Sequence, residues 1–251
     1  MFKNGLIIVD AQQRITGTSS NFTYSPAVIG INKVKRFRIS KVSVPYSFYT
    51  IINQFIEITY NSNVFYVSIL AGSYSAYQLA TELQNNINVE LGGGFTVLYH
   101  QAINKFQIIG PSNFQINFNT AATNYENYSV GVQMGFVLPT NMAEVLPASN
   151  DVYSKYAVDM SATTNIYLKS NALSMYYTSY FLTKKDSIVA SIPVNVNPYN
   201  WIIYSEFTPT MFDFDDQQLN QIDFTFLDDS GNIIDFRGLN PVVEIQIVFS
   251  D

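Results

Sequence analysis

At 251 residues and 28.3 kDa the chain has room for one large β domain, or for a smaller sandwich that carries a sub-domain. Its 47% hydrophobic content, with 19 Phe and 18 Tyr and only 13% charged residues, excludes a disordered chain, and its formal net charge of −6 argues against binding nucleic acid over the whole surface. The absence of cysteine excludes disulfides, thiolate metal sites and cysteine nucleophiles, so stability must come from packing and association.

The polar residues are largely Asn, Ser, Thr and Gln, which suit strands, turns and protein-covered surfaces better than exposed amphipathic helices. Residues 6–9 form a short apolar run that stops at Asp10, so no signal-peptide core is present and secretion is not expected. No stretch approaches the roughly 18 consecutive apolar residues of a membrane span.

Along the chain, apolar residues alternate or run in short bursts broken by Asn, Gly, Pro and Ser, the pattern of a sandwich or barrel. The first half reads as strands over 6–11, 21–25, 34–44, 55–60 and 64–70. Next, Tyr77, Leu79, Ala80, Leu83 and Ile87 fall three and four apart, which predicts an amphipathic helix. Ser73 or Ser75 can cap its start, and Gly92-Gly93-Gly94 ends it. Strands follow over 95–99, 105–109 and 114–118, then a second helix from Asn124 to about Val132. Residues 137–164 read as a long loop, and the second half gives strands over 165–168, 187–193, 201–207, 221–227, 233–236 and 242–249. In the last, Val243, Ile245, Ile247 and Phe249 share one face, as a half-buried strand requires.

This order implies an all-β fold, a single jelly-roll β-sandwich with a small α+β insertion domain. Residues 1–62 and 141–251 form the jelly roll and 63–140 the insertion, since a strand, a helix and three more strands do not continue a sandwich meander.

Sites for chemistry are scarce. His100 is the only histidine, and no Gly-x-Ser-x-Gly elbow is present, so a Ser/His/Asp triad has almost nothing to build on. Carboxylates cluster at Asp213, Asp215 and Asp216, and again in Asp228-Asp229-Ser230-Gly231-Asn232. A hydrolase pair or a calcium site is the alternative chemistry. The first cluster alternates with aromatics as outward strand positions do, and the second has the composition of a hairpin turn. Gly92-Gly93-Gly94 lacks the Gly-Lys-Ser/Thr ending of a phosphate loop. The chain therefore reads as a non-enzyme with no cofactor, no metal and no catalytic residue.

Charge is distributed unevenly. Lys33, Lys35, Arg36, Arg38 and Lys41 crowd into nine positions at and within the predicted 34–44 strand, whereas residues 201–251 hold acids and the single base Arg237. A basic and an acidic patch on one protein can meet between identical subunits, head to tail. This makes the five bases with Asp213, Asp215 and Asp216 a candidate assembly interface. A plain solvated strand and a local nucleic-acid contact are the other readings of the basic run.

The order of elements resembles the vertex (penton) capsid proteins of virophages, polinton-like viruses and related large double-stranded DNA viruses. The resemblance is carried by Lys41-Val-Ser-Val-Pro45-Tyr-Ser-Phe-Tyr-Thr-Ile51, by Ala71-Gly72-Ser-Tyr74-Ser with Leu79 and Leu83 after it, and by Asn104-Lys105-Phe106. Met134-Gly135-Phe136 and the closing Ile222-Asp-Phe-Thr-Phe-Leu-Asp-Asp-Ser-Gly231 complete it. It implies an upright jelly roll interrupted by a projecting domain, five copies plugging a five-fold vertex, and other capsid proteins such as the major capsid protein as partners. The chain is then expected in the virion, assembled inside the host cell. A minor capsid or cement protein, a receptor- or glycan-binding module using Tyr125, Tyr128, Tyr176, Tyr177 and Tyr180, and a carbohydrate-active enzyme are the alternatives.

Overall fold

The computed structural model describes residues 2–26, 33–52, 54–118, 130–138, 145–174, 187–206, 211–217 and 219–250, less the side chains of 174 and 215–217. Its strands are β1 (Phe2–Asp10), β2 (Thr16–Gly17), β3 (Asn21–Tyr24), β4 (Val34–Pro45), β5 (Gln54–Tyr60), β6 (Asn63–Ile69), β7 (Thr96–His100), β8 (Lys105–Asn117) and β9 (Ser149–Tyr153). They continue with β10 (Asn165–Lys169), β11 (Ile188–Pro193), β12 (Trp201–Ser205), β13 (Phe212–Gln217), β14 (Ile222–Leu227) and β15 (Val242–Ser250). The helices are α1 (Ala76–Leu91), α2 (Val130–Gln133) and α3 (Asn171–Ser174). The chain divides into two compact units, one of Met1–Phe48 with Thr163–Asp251 and one of Tyr49–Ala162.

In the first unit two sheets run β1-β15-β4-β12, with β13 also on β4, and β11-β10-β14-β3-β2. Take β1, β3, β4, β10, β11, β12, β14 and β15 as strands one to eight. Strand one then pairs antiparallel with eight, two with seven, three with six and four with five. A chain folded once into a long hairpin and then rolled up gives this pairing, which is the jelly roll. The all-β architecture expected from the alternating pattern is present. Each sheet buries one face, through Val9, Phe37, Ile39, Val42, Val243 and Ile245 in the first and Phe22, Ile166, Leu168, Phe224 and Phe226 in the second.

The second unit is a sheet of order β6-β5-β8-β7, with β9 on β8 and α1 packed on β6 and β7. The α1 start is a capping box. The Ser75 hydroxyl accepts the Gln78 N–H, and the Gln78 side chain accepts the Ser75 N–H at 2.9 Å. Gly92, at φ 87°, closes the helix, since only glycine takes that geometry cheaply. Leu79, Leu83 and Ile87 are fully buried against Ile56, Ile58, Val67 and Ile108. Each such side chain contributes about 1.5–3 kcal/mol.

The inserted unit is wider than the expected 63–140. β5 pairs along its length with β6 and also with β8, and β9 pairs with β8. The sequence boundary at 62/63 falls inside a two-residue hairpin turn, in which Asn61 and Ser62 take φ 48° and 63°. Residues 233–236 make only an isolated bridge, Ile233 with Leu227, rather than a strand. Strands β9 and β13 lie where no strand was expected, and the 105–109 and 114–118 strands are one continuous β8. Of the expected 124–132 helix, α2 is the described part, and residues 124–129 lie outside the described ones.

Candidate assembly surface

Five-stranded pairing turns β4 into the centre of a charged sheet face. Val34, Phe37, Ile39, Val42 and Val44 point inward and are buried. Strict alternation would send Lys35 and Arg36 to opposite faces, and likewise Arg38 and Lys41. Two register shifts against β15 prevent this: Val248 faces Arg36 while Phe249 faces Val34, and Glu244 faces Lys41 while Ile245 faces Ile39. Each shift sets two residues of β4 against one of β15, the arrangement of a β-bulge, and the pattern's phase is reset each time. The basic residues thus gather on the outward side although their spacing is irregular.

The acids come to the same face from within the chain. Lys41 Nζ lies 3.2 Å from Glu244 Oε1, and Ser40 Oγ donates to the Glu244 carbonyl at 3.0 Å. Arg38 Nε donates to Gln246 Oε1 at 2.6 Å. Asp213 sits opposite Arg36 across the β13–β4 pairing. Lys33 precedes the strand at φ 76°, and its carbonyl accepts the Ser250 N–H. Asp215 and Asp216 follow on β13, with side chains outside the described ones. The fold therefore brings Asp213 and its basic counterpart together on adjacent strands of one sheet.

The remaining described acids of the last fifth are dispersed. Asp223 accepts the N–H groups of Asn171 and Ala172 and so caps α3 from another strand. Glu206 accepts the Tyr204 hydroxyl at 2.6 Å, and burial, with this carboxylate beside it, pushes that phenol up to about 12. Asp228 accepts the N–H groups of Ser230 and Asn232, and Gly231 takes φ 80°, so this cluster is a turn. Asp229 is partly buried, which opposes its ionisation. Hydrogen bonds from the Thr164 N–H and hydroxyl, with others from Thr163 and Asn165, nevertheless hold its carboxyl below the ordinary value.

His100 lies in the second unit, stacked on Tyr153 and hydrogen-bonded through Nε2 to Gln107 Oε1 at 2.7 Å. Gln107 in turn donates to Asp151 Oδ1 at 2.8 Å. Among the described residues no group of three or more His, Asp or Glu is placed to hold a metal ion, and no helix is long and apolar enough to cross a membrane.

One part of the outward face was not singled out from the sequence. Phe2, Leu6 and Ile8 on β1, with Trp201 and Ile203 on β12, are exposed there. Their signal is the unbroken runs Leu6-Ile7-Ile8-Val9 and Trp201-Ile202-Ile203, in which apolar residues occupy both faces of a strand.

No protein-family model matches the chain, and no curated protein matches it in sequence. Among solved structures it is similar to the mavirus penton protein, with a TM-score of 0.54 at 10% identity, over 100% of this chain and 99% of that one. At that identity the likeness is one of fold, and it runs the whole length of both chains, inserted unit included.

Proposed function

We propose that this chain is a structural capsid protein, the penton subunit whose homopentamer closes the five-fold vertices of an icosahedral double-stranded DNA virus. The observation that carries the reading is the full-length likeness to a penton protein, in a jelly roll interrupted between its third and fourth strands. In this reading the protein works by shape: it has no catalytic residue, cofactor or metal, and the major capsid protein is its second partner in the virion. The domain assignment that goes with it is a jelly roll for the first unit and an α+β insertion for the second.

Basic and acidic side chains on the β4 face fit this role. Arg36 opposite Asp213 and Lys41 beside Glu244 leave a patterned surface able to fix the register of a neighbouring subunit. Sedimentation and mass photometry across concentration and salt, with cryo-EM of native particles, test the reading. A pentamer, with density for this chain at the vertices, is expected. Absence of the chain from purified particles would refute it.

A receptor- or glycan-binding role for the second unit is a further reading, favoured by the exposed rings of Tyr66 and Tyr153 on the sheet face opposite α1. The tyrosines first considered for it, Tyr125, Tyr128, Tyr176, Tyr177 and Tyr180, lie outside the described residues. Competable binding on a glycan array, lost on Tyr153→Ala, would favour it over a purely architectural insertion.

A further inference from the structure

The sheet of the second unit ends at β6, which pairs with β5 from Asn63 to Ile69 in one unbroken register. Its sequence, Asn63-Val-Phe-Tyr-Val-Ser-Ile69, has no charge, proline or glycine. Sheet edges are normally blunted by a charge, a proline, a bulge or a covering segment, because a row of unpaired N–H and C=O groups invites another strand.

Helix α1 seals the edges of this sheet with its side chains, and does so unequally. At the start of β7, Asn88 Nδ2 donates to the Phe95 carbonyl at 2.9 Å and Asn88 Oδ1 accepts the Phe95 N–H at 2.8 Å. Gln84 Oε1 accepts the Val97 N–H at 3.0 Å. On β6 the helix meets only the Ser68 carbonyl, through Asn86 Nδ2 at 2.9 Å. That bond reveals which way the β6 backbone faces. In an antiparallel pair, alternate residues turn both N–H and C=O away from the neighbouring strand. Val64 and Tyr66 share the phase of Ser68 and present theirs to the open edge. The two-residue turn at Asn61-Ser62 sets the same phase, since it makes Tyr60 and Asn63 a bonded pair. Among the described residues no other group takes up these donors and acceptors. The side chains of Val64 and Tyr66 are 52% and 50% exposed.

We infer that β6 is a docking edge for strand addition, taking an extended segment of a partner protein that is uncharged over about five residues and apolar at alternate positions. Donors and acceptors repeated every second residue along an edge match an extended peptide backbone. On one face of the incoming strand, side chains lie beside Val64 and Tyr66, where β-branched or aromatic residues pack best. Asn86 closes the ladder at Ser68 and so limits its length. About five residues at roughly 3.3 Å each, on a sheet about 10 Å thick, offer about 160 Å². A second folded copy needs roughly 800 Å² per partner, so this edge suits a flexible segment instead. The inference concerns the second unit alone and does not depend on the capsid reading.

The test uses the full chain and a soluble peptide of seven alternating valine and threonine residues with a lysine at each end. Bound peptide should slow hydrogen exchange at the Val64 and Tyr66 amides. Tyr66→Pro removes one outward N–H and leaves the β5 pairing, made through Phe65 and Val67, in place. It should weaken binding at least about 10-fold, whereas Tyr66→Phe should bind like the parent. Circular dichroism checks folding, and Val64→Lys, which puts a charge on the edge, replaces a proline variant that does not fold. A peptide methylated on alternate amide nitrogens should not bind. No binding by the unmodified peptide, no slowing at Val64 and Tyr66, or binding that survives Tyr66→Pro overturns the inference. A parent that self-associates and loses this on Tyr66→Pro overturns the named occupant in favour of a second copy.

Discussion

Gly135 and Gly231 have nearly the same backbone, φ 74° and 80°, in different surroundings, and comparing them isolates what close packing demands of a glycine. Around Gly231 nothing lies within 4 Å of where a Cβ would stand. Around Gly135 a Cβ would fall inside contact distance of the Tyr156 carbonyl oxygen, and 2.8 Å from that of Ala157. The Gly135 carbonyl also accepts the Tyr156 N–H at 2.8 Å. Gly231→Ala should cost only the left-handed strain, about 1 kcal/mol, partly offset by a stiffer unfolded chain. Gly135→Ala carries the same strain and must also push the 156–157 backbone away, losing that hydrogen bond. Together these should cost about 3 kcal/mol. Urea denaturation gives the two totals. Hydrogen exchange should show protection lost for Gly135→Ala over peptides covering 130–137 and 154–160 and kept there for Gly231→Ala. Equal losses for the two variants would refute the argument that close approach, rather than torsion alone, fixes glycine at 135.

Asp229→Asn should destabilise the protein at neutral pH. A carboxyl whose folded value is lowered stabilises above its ordinary value of 3.8 and loses that contribution as pH falls through the lowered one. The gap between variant and parent in urea midpoints should therefore close in acid, and a gap independent of pH would refute this. Leu83→Ala, emptying a fully buried position on α1, should cost about 2–5 kcal/mol in the same assay. Ser75→Ala, which removes half of the capping box, should cost about 1 kcal/mol, with frayed exchange limited to the first turn of α1. The half-exposed pair Lys41 and Glu244 should show a coupling of at most about 1 kcal/mol in a double-mutant cycle, falling as salt is added.

Where local rules decide structure, the sequence was legible. Ser75 and Gly92 bound the helix that the spacing of Leu79, Leu83 and Ile87 announces, and the alternation of Val243, Ile245 and Ile247 marks β15. Where pairing decides, it was not. Ser149-Asn-Asp-Val-Tyr153 has almost no apolar pattern and is a strand because β8 lies beside it. Asn61-Ser62 has the composition of a linker but closes a hairpin, which misplaced the boundary of the insertion. The basic cluster was visible as composition. That it would share one face was not, because the two bulges that reset its phase are set by the partner strand. That Asp213 would lie beside Arg36 depended on another long-range pairing, that of β13 with β4.

Strand β15 lies between β1 and β4, and β1 pairs with it alone among the described strands. In chain order it follows all the others. During synthesis β1 therefore waits without a ladder until the final strand emerges, while the inserted unit, whose pairings are all internal to 49–162, can fold at once. Of the three described sheets, the one that bears the charged and apolar outward face is consequently the last to be completed. A nascent chain lacks that face until β15 has emerged. The position of one strand in the polypeptide thereby sets when this face comes into being.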